Sequence, residues 1–91
     1  MRIRWTPAAV ADLEHISNYL KDRRPEYRYS TMRKLYEAIR SLRRSPDRGR
    51  PGSEHGTREF FFAPLPYVAV YRVAEQSVEV LRVYHTAQDR A

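Results

Sequence analysis

The sequence contains no cysteine, which excludes disulfides, thiolate zinc sites and thiol nucleophiles. His15, His55 and His85 are its only imidazoles and share no short ligand spacing, so no metal or other cofactor is expected. No apolar run approaches the roughly 20 residues of a membrane span. The opening Met1-Arg2-Ile3-Arg4-Trp5 alternates instead of forming a signal-peptide core, so a cytoplasmic protein without membrane contact is expected. Glycine is scarce, and Gly49, Gly52 and Gly56 all fall between residues 46 and 57. Lysine is scarcer still: Lys21 and Lys34 are the only two among 17 cations, and arginine supplies the rest. Against 11 acidic residues this leaves a net charge of +6, with a pI near 10.1. The planar guanidinium fork suits phosphate and carboxylate, so the partner classes in view are nucleic acid and acidic protein, with a plainly solvated surface as the alternative.

Ninety-one residues make one domain, 1–91, with a thin core. Ile3 and Trp5 alternate with Arg2 and Arg4, the pattern of a short half-buried strand. Thr6-Pro7 reads as an N-cap followed by proline at the first helical position. Ala9, Leu13, Ile16 and Leu20 then form an apolar stripe at helical period, and Asp22 through Pro25 end it. Met32, Leu35, Ile39 and Leu42 repeat the stripe until Ser45-Pro46, so an antiparallel helical hairpin is predicted. Residues 46–57 read as a mobile loop. Three strands follow, around Phe60-Phe61-Phe62, Tyr67 to Val73 and Val80 to His85, joined by connections short enough to be antiparallel. The predicted class is α+β in the order β-α-α-β-β-β, a helical hairpin packed on one face of a small, mainly antiparallel sheet, with the other face available to a ligand.

Each of the last three strands carries one arginine. Side chains two apart share a face, which groups Arg58 with Phe60 and Phe62, Arg72 with Val68 and Val70, and Arg82 with Val78, Val80 and Tyr84. Taken singly, each would snorkel at the rim and pair with Glu59, Glu79 or Asp89; taken together beside Tyr84 and His85 they outline a candidate site. Arg33, Glu37, Arg40 and Arg44 fall on one side of the second helix, in the most basic segment, and form a second candidate partner surface. His15 reads as a surface residue. His55 reads as a solvated loop residue, or as a second acid–base group if its loop folds over the sheet.

Over nearly its whole length the chain resembles the RelE/ParE superfamily of toxins from bacterial type II toxin–antitoxin modules. The resemblance is carried by Trp5-Thr6-Pro7-Ala8-Ala9 with Asp12-Leu13 and Ile16, by Gly49-Arg50-Pro51-Gly52, by Gly56-Thr57-Arg58-Glu59, by Tyr67 through Val73, and by Leu81-Arg82-Val83-Tyr84-His85. It implies a growth-inhibiting protein held in a hetero-oligomer by a cognate acidic antitoxin, which Arg58, Arg72, Arg82, Arg33, Arg40 and Arg44 are placed to contact. RelE-like members cut messenger RNA on the ribosome, whereas ParE-like members inhibit DNA gyrase without cutting. As a nuclease the chain would use His85 as acid or base, with Tyr84 and Arg82 to orient and hold the RNA. However, Phe60-Phe61-Phe62 and Ala63-Pro64-Leu65-Pro66 stand where nuclease members usually carry basic residues. Arg82-Val83-Tyr84-His85 with Asp89 also resembles the ending of ParE-like sequences. The ParE-like reading is therefore preferred, the endoribonuclease is the alternative, and a non-toxic interaction module on the same fold is a third.

Overall fold

A computed structural model of the chain describes residues 1–88; Asp89, which the sequence pattern singled out, lies outside the described residues. The elements are β1 (Arg2–Trp5), α1 (Pro7–Arg23), α2 (Arg28–Ser41), β2 (Arg50–Pro51), β3 (Arg58–Phe61), β4 (Tyr67–Val73) and β5 (Ser77–His85). Single 3₁₀ turns at Pro25–Tyr27 and Pro46–Arg48 link the helices and lead into β2. The two helices pack on one face of a five-stranded sheet ordered β1-β5-β4-β3-β2, in which β1 runs parallel to β5 and the other pairs are antiparallel.

Local chemistry sets the helix boundaries. Thr6 caps α1, its hydroxyl accepting from the Ala9 amide at 3.1 Å, with Pro7 pre-set for the first turn. The stripe Ala9, Leu13, Ile16 and Leu20 is buried against Tyr67, Ala69, Val80 and Val83 of the sheet and against Leu35 and Ile39 of α2. The second helix stops at Ser41, earlier than its apolar pattern suggests. Leu42, Arg43 and Arg44 continue as tighter turns, their amides donating to carbonyls three residues back, and this carries Leu42 into the core below Tyr71 and Val78.

Two expectations need correction. The segment 46–57 is not simply a loop, because Arg50 and Pro51 pair with Glu59 and Arg58 as a fifth strand. Its first part is also pinned: the buried Tyr71 hydroxyl donates to the Pro46 carbonyl at 2.6 Å and accepts from the Gly49 amide at 2.9 Å. A Cβ on Gly49 would lie 2.7 Å from the Tyr71 ring, so only glycine lets the chain pass this closely. The second correction concerns strand parity. The β4–β5 register steps from Val70↔Arg82 to Tyr71↔Val80, leaving Leu81 in a bulge. Arg82 is thereby moved off the face of Val78 and Val80, with which simple alternation groups it.

Candidate functional site

The bulge at Leu81 follows from how the edge of β5 is covered. β1 pairs only with Ser77 to Val80, so the ladder groups beyond Val80 need other partners. The Thr6 amide donates to the Val80 carbonyl and the Thr6 hydroxyl to the Leu81 carbonyl at 2.8 Å. Nearly two turns further along α1, Asp12 Oδ2 accepts from the Val83 amide at 2.9 Å. The same carboxylate takes Arg82 in a two-pronged pair, Nε to Oδ2 at 2.7 Å and Nη2 to Oδ1 at 3.0 Å. The Asp12 side chain is 15% exposed and that of Arg82 41%. Donating these hydrogen bonds to Asp12 raises the Arg82 pKa and holds the guanidinium charged.

On the face away from the helices, register places Arg50, Glu59, Val70 and Arg82 in one row across four strands, and Phe61, Val68 and Tyr84 in the next. Two arginines lie over rings at either side: Arg82 is 4.7 Å from the centroid of Tyr84, and Arg50 is 4.5 Å from that of Phe61. Between them runs a groove of about 620 Å³, floored by Val70 and Leu81 and walled by the Arg50–Glu54 segment. Arg72 faces the same way, lies directly opposite Glu79 and pairs with it at 2.8 Å. The groove thus offers flat guanidinium and aromatic surfaces around a small apolar floor, which suits a peptide segment carrying acidic residues and one apolar anchor.

His85 is elsewhere. As the neighbour of Tyr84 on a strand it turns to the helix side, where its ring meets Tyr67 edge-on at 5.5 Å. Its Nδ1 accepts from the Ala87 amide at 3.1 Å. Together with His15, Tyr19 and Tyr67 it borders a separate recess of about 360 Å³ beside α1. Burial, and then the neighbouring Tyr19, raise the Tyr67 phenol pKa. The candidate set His85, Tyr84 and Arg82 is therefore divided between two sides of the sheet. Arg58 also parts from Arg72 and Arg82: it faces the helix side and clamps the arm before β2, donating to the Gly49 carbonyl at 2.8 Å and lying 3.5 Å from the Asp47 carboxylate. His15 and His55 are exposed, as are Arg33 and Arg40 along the outside of α2 and Arg44 in the turn after it.

Sequence reasoning missed Asp12 and Arg50. Asp12 reads as one more polar residue off the apolar stripe, and nothing local announces that an unpaired strand edge runs alongside it. Arg50 sits among glycine and proline, which hides its strand. A buried Glu59, opposite Arg50 with 4.0 Å between their charged groups, ties that strand to β3.

Comparison with known proteins agrees with this architecture. The family described as the ParE toxin of type II toxin–antitoxin system, parDE, matches residues 3–90. The chain is 36% identical over 87 residues to a putative toxin, Y4kP, of Sinorhizobium fredii, spanning 96% of this chain and 90% of that one. It is also 36% identical over 84 residues to toxin RelE2 of Caulobacter vibrioides, spanning 92% and 93%. Among solved structures, a chain of the chromosomal ParDE toxin–antitoxin system of P. aeruginosa superposes with a TM-score of 0.86 at 26% identity, covering 93% of this chain and 95% of that one.

Proposed function

Because this chain belongs to the ParE toxin family of type II toxin–antitoxin modules, we propose that it arrests bacterial growth by binding and blocking DNA gyrase in the cytoplasm, without cleaving a substrate. The observation that supports a binding mode is the division of Tyr84 from His85. Cleavage of RNA by its own 2′-hydroxyl needs an acid, a base and a phosphate-holding cation converging on one phosphodiester. Here the imidazole stands beside α1, while Arg82 lies on the other face, occupied by Asp12.

The cognate antitoxin, in this reading, lays an acidic segment along the groove between Arg50 and Arg82, its carboxylates meeting the guanidinium groups and an apolar side chain resting on Val70 and Leu81. Arg72, at the end of the same face, extends the contact once Glu79 is displaced.

A short induction of the free toxin in bacteria, with DNA synthesis and protein synthesis followed in parallel by pulse labelling, tests the target. The expected result is that DNA synthesis fails first, that transcripts stay whole, and that His85→Gln remains toxic. Translation stopping first with cut transcripts, abolished in a folded His85→Gln protein, would establish the endoribonuclease instead. Unimpaired growth with soluble toxin present would mark a non-toxic binding module.

A further inference from the structure

The four ion pairs among the described residues all use arginines of the sheet: Arg50, Arg58, Arg72 and Arg82. The arginines at the other side of the molecule are different. Arg2 on β1, Arg40 on α2, and Arg43 and Arg44 in the turn after it are exposed, and among the described residues none of their guanidinium groups meets a carboxylate, a hydrogen-bond acceptor or a ring. Arg40 and Arg43 wall two adjoining hollows, one of about 420 Å³ shared with Arg2 and floored by Ile3, Trp5 and Tyr36, the other of about 280 Å³ shared with Arg44. The surface is therefore continuous. From residue 33 to residue 48 six cations face two acids, Glu37 and Asp47, and Asp47 is taken by Arg58. Two thirds of the chain's net charge of +6 thus resides in this one segment.

We propose that this α2–β1 surface is a contact for the phosphate backbone of duplex DNA, separate from the sheet groove. Unpaired arginines held close together repel one another, and a polyanion removes that repulsion while releasing its own counterions. The charge is predominantly positive, with Glu37 the acid beside Arg40 and Arg44, and spreads over a strand, a helix and a turn. Its apolar content is the floor formed by Met1, Ile3 and the edge-on pair Trp5 and Tyr36, whose ring centroids are 5.7 Å apart and which also border a hollow between the helices with Val10 and Met32. An acidic amphipathic peptide needs an apolar stripe as long as itself, whereas a duplex needs only cations at intervals to meet successive phosphates. Guanidinium forks serve phosphate oxygens two at a time. The contact carries no base readout and so no sequence preference. It does not depend on whether gyrase is the target, since it is measured with toxin and DNA alone.

The test is fluorescence anisotropy of a labelled duplex of arbitrary sequence, titrated with the full-length toxin at a series of salt concentrations. With Arg2, Arg40, Arg43 and Arg44 each meeting one phosphate, the slope of log affinity against log salt is expected to be about −3.6, or about a 150-fold loss over a fourfold rise in salt. Arg40→Gln with Arg43→Gln should bring the slope to about −1.8, and Arg2→Gln with Arg44→Gln should do the same through different residues, so a folding defect in one pair leaves the other as the test. Arg24→Gln, at the opposite end of α2, should leave it unchanged. A slope unaltered in both double variants overturns the proposal. So does tighter binding of polyglutamate or of single-stranded RNA than of duplex through the same arginines, which would assign the surface to an acidic protein or to RNA.

Discussion

Replacing Asp12 by Ala removes two interactions of unequal weight, and their difference can be measured. The Val83 amide belongs to a residue only 2% exposed, and Asp12 is its acceptor at the strand edge. Leaving a buried N–H without an acceptor costs about 1–3 kcal/mol. The pair with Arg82 is worth less, about 0.5–1 kcal/mol, because the guanidinium is 41% exposed and regains water when released. Asp12→Ala should therefore destabilise the domain by about 2–3 kcal/mol, Arg82→Gln by about 1 kcal/mol or less, and Asp12→Asn by about 1 kcal/mol, since the amide oxygen still serves Val83. Urea unfolding at neutral pH reads these values as shifts of the midpoint at constant slope. In a domain of this size the Ala variant should also melt about 10–20 °C lower. If Asp12→Ala proves no more costly than Arg82→Gln, the carboxylate matters only as a surface ion-pair partner and the account of the β5 edge is wrong.

Three further outcomes are expected. Tyr71→Phe should cost about 1–3 kcal/mol by freeing the Pro46 carbonyl and Gly49 amide, and should speed proteolysis of the arm before β3; unchanged cleavage there would show that the hydroxyl does not hold it. Burial raises the Tyr71 phenol above its usual 10.0, so its contribution to stability is fully present below that pH and is lost as pH rises through the folded-state value, a loss that Tyr71→Phe should reduce. For the antitoxin complex, charge reversal at Arg50 or Arg82 and added salt should both weaken binding chiefly by slowing association and removing the rim contacts. An affinity insensitive to both would place the antitoxin outside the groove.

What could be read in advance was what local pattern determines. Thr6-Pro7, the stripe from Ala9 to Leu20, and the apolar runs of β4 and β5 each state their element within a few residues, and the helical hairpin on a mainly antiparallel sheet follows from their order. β2 could not be read, because two residues have no periodicity and glycine and proline surround them. The bulge at Leu81 was hidden for another reason: it depends on Thr6 and Asp12, some seventy residues away. That single irregularity moved Arg82, together with Tyr84, off the face of Val78 and Val80 and onto that of Val70. The site failed to follow from the sequence where β alternation failed.

The parallel pairing of β1 with β5 sets the order of synthesis against the order of assembly. Arg2 is among the first residues made, yet its partner, Ser77, comes after both helices and three strands. Closing so long a loop is slow compared with forming the helical hairpin, so the first strand made is among the last to find its place. The arginine surface shared by β1 and α2 exists only after that closure. A chain interrupted before residue 77 carries those arginines without the surface.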